Sequence, residues 1–136
     1  MFHLHDSLIL KLRSPALNQR IEALNELAKM PSEEAIKLLI PLLEAEDFAL
    51  RKLAVMGLGN HHTVAAQYLL QRALVSETDA NVLSEAANSL FDFGESAFPA
   101  LVQLYHTSDH WLVKETVVAL FTDGPYETWL AQIQES

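Results

Sequence analysis

Four stretches of this chain repeat one arrangement of apolar and polar positions. They are "RIEALNEL" from Arg20, "RKLAVMGL" from Arg51, "LSEAANSL" from Leu83 and "VKETVVAL" from Val113, with starts 31, 32 and 30 residues apart. Each ends in leucine seven positions on, at Leu27, Leu58, Leu90 and Leu120. Ala23, Ala54 and Ala86 hold the fourth position of the first three, and Thr116 that of the last. Apolar residues three and four apart mark one face of a helix. A small residue on that face lets a neighbouring helix approach closely. Four residues before the later starts stand Asp47, Asp79 and Asp109, and Ser14-Pro15 lies near that point in the first unit. Aspartate as a cap, or serine followed by proline, is what a helix amino terminus favours.

After a short break each unit continues into a second helical stretch: "SEEAIKLLIPLLEA", "TVAAQYLLQRALVS", "ESAFPALVQLYH" and "PYETWLAQIQ". The breaks hold helix stoppers and starters, namely Met30-Pro31-Ser32, Gly59-Asn60, Gly94 and Gly124-Pro125. "LHDSLILKLR" adds a helix before the first full unit, and no segment alternates as a strand does. Pro99 falls in a first turn, where proline is tolerated, whereas Pro41 lies deeper and should kink or shorten its helix. The prediction is one all-α domain over residues 1–136, about four and a half antiparallel helix pairs stacked as an α-solenoid.

The pattern D-x-x-x-R-x-x-A-x-x-x-L, seen in "DFALRKLAVMGL", resembles the short HEAT-like repeats named after the phycobilisome lyases. The resemblance covers nearly the whole chain and implies a solenoid of helix pairs. It also implies the roles such repeats take: subunits of phycobilin lyases, phycobilisome-degradation proteins, and scaffolds. The chain departs from the pattern at Leu83 and Val113, where the repeat arginine is missing, and it is short for a lyase subunit.

Composition narrows the classes further. Half the residues are apolar and a fifth charged, as in ordinary globular chains. No apolar run approaches the roughly eighteen residues of a membrane span, and "MFHLHDSLILKLRS" lacks the features of a secretory signal. A cytoplasmic location is expected. Without cysteine there are no disulfides, thiolate metal sites or cysteine nucleophiles. Residues 1–72 carry eight cations and eight acids, so the net charge of −9 resides in residues 73–136, where Lys114 faces ten acids. That half would repel a phosphate backbone, so no nucleic-acid partner is expected.

Three features suggest chemistry and have plainer readings. Gly57 and Gly59 form a GxG, but at the end of a helix, whereas phosphate cradles precede one. Gly57 fits close packing, and Gly59 or Asn60 the exit turn. The histidines do not converge: His61 and His62 are adjacent, His3 and His5 lie in a terminal segment, and a break separates His106 from His110. No metal or other cofactor is expected. Glu33-Glu34 suits a first helical turn, and Asp47, beside Glu46, can cap a helix and pair with Arg51. No catalytic residue emerges.

What remains is a surface. Aligning the second helices on Leu38, Leu69, Leu101 and Leu130 places Lys37, Tyr68, Ala100 and Trp129 one position earlier, and Ile40, Gln71, Gln103 and Gln132 two positions later. Residues three apart share a helix face, so stacking should join them in one stripe. Lys37, Tyr68, Gln71, Gln103, Trp129 and Gln132 are the expected partner-binding residues, in the mixture typical of interfaces. The expected function is a non-catalytic scaffold binding another protein, with the later acids, Glu77 and Glu95 among them, steering a basic surface. Self-association through the solenoid ends is a further expectation. The alternative is an accessory subunit of a phycobilin lyase or a phycobilisome assembly or degradation factor, as the resemblance implies.

Overall fold

A computed structural model describes residues 5–135, so a pairing of His3 with His5 lies outside the described residues. Nine α-helices and no strand occur among them. They are α1 (Asp6–Leu12), α2 (Leu17–Lys29), α3 (Ser32–Leu43), α4 (Phe48–Leu58), α5 (Val64–Ser76), α6 (Ala80–Phe91), α7 (Phe98–Thr107), α8 (Trp111–Thr122) and α9 (Glu127–Gln134). A single 3₁₀ turn, Glu95–Ala97, leads into α7.

The first helices α2, α4, α6 and α8 pack in sequence as one layer. The second helices α3, α5, α7 and α9 form the other, with α5 against α7 and α7 against α9. Each second helix also packs on the first helix of the following unit: α3 on α4, α5 on α6, α7 on α8. Because α1 packs on α2 in the same manner, it is the second helix of a half-unit. Lys11 fastens it there, with its Nζ 3.0 Å from Glu22 and 2.8 Å from Glu26. Those two hydrogen bonds, Glu26's the stronger, raise the lysine pKa above its usual value.

Ala23, Ala54, Ala86, Leu27, Leu58 and Leu90 are all fully buried, which accounts for their recurrence. The fourth unit breaks the expected register. Thr116 and Leu120 are only half-buried, while Val117 and Phe121 are fully buried. Helices α2, α4 and α6 begin three residues before Arg20, Arg51 and Leu83, and α8 begins three before Lys114. The unit therefore starts at Lys114, not Val113, and it does carry the repeat cation. Its cap shifts likewise: His110, not Asp109, precedes α8, and its Nδ1 accepts the Leu112 N–H at 3.1 Å. Asp47 and Asp79 do cap α4 and α6.

Two of the repeat cations, Arg51 and Lys114, work on backbone, whereas the buried Nε of Arg20 in the first unit has no hydrogen-bond partner among the described residues. Nη1 of Arg51 donates to the carbonyls of Ala45 and Glu46 at 2.8 and 2.9 Å, just past the end of α3, while Nε donates to Glu77 Oε2 at 3.0 Å. Arg51 thus engages Glu77, two loops away, and not Asp47 as its spacing suggested. Lys114 donates to the Tyr105 carbonyl at 2.9 Å in the last turn of α7, its Nζ 4.2 Å from the Tyr105 ring centre. Cations at a helix carboxyl end satisfy stranded carbonyls and oppose the dipole.

Gly57 and Gly59 are packing residues. A Cβ on Gly57 would lie 2.9 Å from Leu39 Cδ2, and one on Gly59 2.8 Å from Ser89 Cβ. Both are places where the neighbouring unit comes too close for a side chain. Pro99 sits in the first turn of α7, as expected, and α3 ends two residues after Pro41.

Ala54 allows a direct test of this packing. Ala54→Leu should overpack the fully closed site and destabilise the fold by about 1–3 kcal/mol, measured as a lower midpoint in denaturant at unchanged helical circular dichroism. An undiminished midpoint would contradict close stacking of the units at Ala54.

Candidate functional site

Helix α5 is apolar on two faces. Thr63 starts it by accepting the Ala66 N–H at 3.1 Å. One face buries Ala66, Leu70, Ala73 and Leu74 in the core. The other leaves Val64, Tyr68 and Val75 exposed, at 88%, 58% and 89%. Helix α7, beside it, buries Phe98, Leu101, Val102 and Leu104 and turns Gln103 outward. Between them lies a cavity of about 370 Å³, with Leu74, Val75, Leu83, Ala100 and Leu104 as its apolar lining. Gln71 and Gln103 both open onto it, with Thr107, Ser108 and Glu77 towards the loops. An adjoining hollow is formed by Tyr68, Gln71, Arg72, Val75 and Ser76, with the Arg72 guanidinium 5.9 Å from the Tyr68 ring centre.

The structure thus brings together Gln71 and Gln103, with Tyr68 adjoining. Lys37 lies exposed on α3, its Nζ 3.8 Å from Glu33 one turn back. Trp129 is half-buried, its ring edge-on to Phe98 with centroids 5.4 Å apart. Phe98 also meets Phe91, Phe121 and Tyr126, so Trp129 belongs to an aromatic cluster that closes the end of the core. Gln132 is exposed near the chain end, and its carbonyl accepts the His106 Nε2–H at 2.9 Å. Neither Lys37, Trp129 nor Gln132 lines the cavity. Val64, Val75, Leu104 and Thr107 were missed by the helix alignment. The spacing of Val64, Tyr68 and Val75, four and seven apart and off the core face, was the available signal.

Glu77 is a structural carboxylate. Its side chain is only 9% exposed, takes Arg51, and accepts the N–H groups of Thr78 and Asp79, each at 3.1 Å. It is therefore withdrawn from any steering role. Glu95 and Asp109 are exposed at the start of α7 and beyond its end.

The histidines serve the backbone as well. His61 is 3% exposed. Its Nε2 faces the Leu27 carbonyl at 2.9 Å and so carries the proton, while Nδ1 lies 2.8 Å from the Ser32 hydroxyl, which donates to it. One imidazole thereby joins the end of α2, the start of α3 and the loop after α4. His62 donates to the Gly59 carbonyl at 3.0 Å and lies against the Phe93 ring. His106 ends in α7 and His110 precedes α8, so the break between them is real. Among the described residues no group of three or more His, Cys, Asp or Glu could hold a metal ion, and no helix is long and apolar enough to cross a membrane.

Two measurements check this assignment. His61→Leu should leave the Ser32 hydroxyl without its acceptor, remove one of the two donors to the Leu27 carbonyl, which keeps the Met30 N–H, and destabilise the fold by about 1–3 kcal/mol, seen by thermal or chemical denaturation. Stoichiometric zinc added to metal-free protein should leave the melting temperature unchanged. A rise of several degrees would reveal a ligand set among these side chains.

The sequence profile of the family described as HEAT repeats matches the chain over residues 6–90 and again over residues 42–120. No curated protein matches it. The two matched spans overlap and together run from α1 to the body of α8. Within them lie the stacked helix pairs, the buried alanine and leucine positions, and the cations on preceding helix ends. On both sequence and architecture, the chain belongs to the HEAT-repeat family.

Proposed function

We propose that this chain is a non-catalytic binding module that holds another protein against its layer of second helices. The observation that carries the reading is the outer face of α5. Val64, Tyr68 and Val75 stand exposed on a helix already buried along its opposite side. Large apolar residues aligned beside a cavity mark interaction sites on soluble proteins. HEAT repeats generally mediate protein–protein interactions, which agrees with this use of the surface.

Tyr68 and Arg72 supply the anchor. An aromatic ring buries much area with few rotatable bonds, and arginine and tyrosine are the residues that dominate interface energies. The acids beyond residue 73, with Lys114 tied to α7, favour a basic partner surface and oppose a nucleic acid. Glu95 and Asp109, exposed before and after α7, are available to steer it.

Affinity capture from the source organism, followed by kinetics on the captured protein, tests the proposal. Tyr68→Ala should weaken binding about tenfold, mainly by faster dissociation. Glu95→Lys with Asp109→Lys should slow association and flatten its salt dependence. Trp111→Ala serves as the control, because Trp111 is 67% exposed on the first-helix layer. If Trp111→Ala abolishes binding and Tyr68→Ala leaves it intact, the binding face is the other layer.

A further inference from the structure

The two glutamines on the cavity between α5 and α7 specify what kind of segment it takes. We infer that this groove binds an extended polypeptide segment by its backbone. Gln71 and Gln103 each pair with a main-chain amide, an aliphatic side chain enters the apolar floor, and a lysine or arginine flanks it. The inference rests on the reading above, that the second-helix layer is the binding face.

Gln71 and Gln103 keep their side-chain amides available to a ligand. Among the described residues neither side-chain amide has an internal partner, although both open onto the same cavity. Gln67, four residues before Gln71, is by contrast engaged, its Nε2 donating to Ser96 Oγ at 3.1 Å. A primary amide offers donor and acceptor together, the same pair that each peptide unit presents. A helical partner has already spent its backbone groups internally. An extended segment has them free along its length, so it can meet both glutamines with main chain.

Spacing agrees. Packed helices lie about 8–10 Å apart, and an extended chain advances about 3.3 Å per residue. Amides on adjacent second helices would therefore meet peptide units about three residues apart. Between them, side chains of the segment alternate inward and outward, so one falls over Leu74, Ala100 and Leu104. A volume of about 370 Å³ is at the small end of ligand sites, about 300–1,000 Å³, suited to one aliphatic side chain with its backbone.

Charge fixes the flank. The cavity runs to Glu77 and Ser108, next to the loops that hold Asp79 and Asp109. Arg51 is paired with Glu77, and Arg72 and Lys114 also stand near this end, so the favour for a basic flanking residue comes from the wider balance of residues 73–136, ten acids against Lys114.

The test uses a displayed library of random twelve-residue peptides selected on the whole chain, with affinities then measured by fluorescence anisotropy on synthetic peptides. The expected consensus is an aliphatic residue with Lys or Arg within about three positions. Gln71→Ala and Gln103→Ala should each weaken binding about fivefold, as loss of one net hydrogen bond implies. Ala100→Phe, filling the floor, should weaken it more than tenfold. N-methylation of the two peptide amides that face the glutamines should match the glutamine variants, a loss that side-chain recognition would not produce. Selected peptides indifferent to all three variants but lost with Tyr68→Ala would overturn the groove while leaving the binding face standing. Failure to enrich any peptide, while a folded partner still depends on Tyr68, would overturn the extended segment in favour of a folded surface.

Discussion

A helix leaves its last four carbonyls without partners inside the helix, and stacking helix pairs drives those ends together, away from water. A buried carbonyl without a donor is destabilising by about 1–3 kcal/mol, so each junction between units needs a donor from elsewhere. This constraint explains most of the polar residues that would otherwise suggest chemistry. Arg51 covers the carbonyls beyond α3, Lys114 that of Tyr105 in α7, and His61 that of Leu27 in α2. His106 reaches the Gln132 carbonyl of α9 in the same way at a solvent-exposed position, where water could otherwise serve it. Lys114, His61 and His106 each reach a carbonyl in another helix, so one bond both serves a helix end and ties two elements together, while Arg51 pins the loop that follows α3.

The same constraint separates these residues from the functional surface. Glu77 is held by Arg51 and two backbone N–H groups, so its charge is used internally even though it borders the cavity. Phe98, Phe121 and Trp129 close the end of the core where no further unit follows in the described chain. Their rings meet edge to face, the arrangement aromatic pairs favour. Tyr68 has no such assignment, and its exposure sets it apart from the other large aromatic of the stripe.

The period, the leucines and the alanines made the solenoid legible, because the buried faces must repeat if the units are to stack. The fourth unit was misread by one residue for a physical reason. Leu120 satisfies the closing apolar position as well as Phe121 does, Val113 matches apolar Leu83 while Lys114 matches Arg20 and Arg51, and Asp109 is as good a cap by residue type as Asp47. Only packing distinguishes them: Phe121 is the larger group and takes the fully buried place, which pulls the start of α8 to Trp111 and gives the cap to His110. Likewise Arg51 lies one turn from Asp47, but Glu77, distant in sequence, is brought to it by stacking. Gln71 and Gln103 were legible as equivalent positions. The cavity that joins them was not, since Ala100, Leu104 and Thr107 contribute through the fold of α7 against α5 and not through the alignment.

Helix α5 then carries the tension between folding and function. Its inner face needs Ala66, Leu70, Ala73 and Leu74 to hold α6 and α7, and those positions alone would fix the helix. Val64, Tyr68 and Val75 add nothing to that core, and exposed apolar groups on a helix favour association. A polar residue at each would leave the same contacts beneath. The outer face is therefore unexplained by stability, whereas every histidine and every repeat cation with a described bond is explained by it. That asymmetry supports the proposed binding face on the second-helix layer, although Leu17, Ile21, Phe48 and Trp111 are exposed on the first-helix layer as well, which is why the comparison of Tyr68 with Trp111 decides between the two.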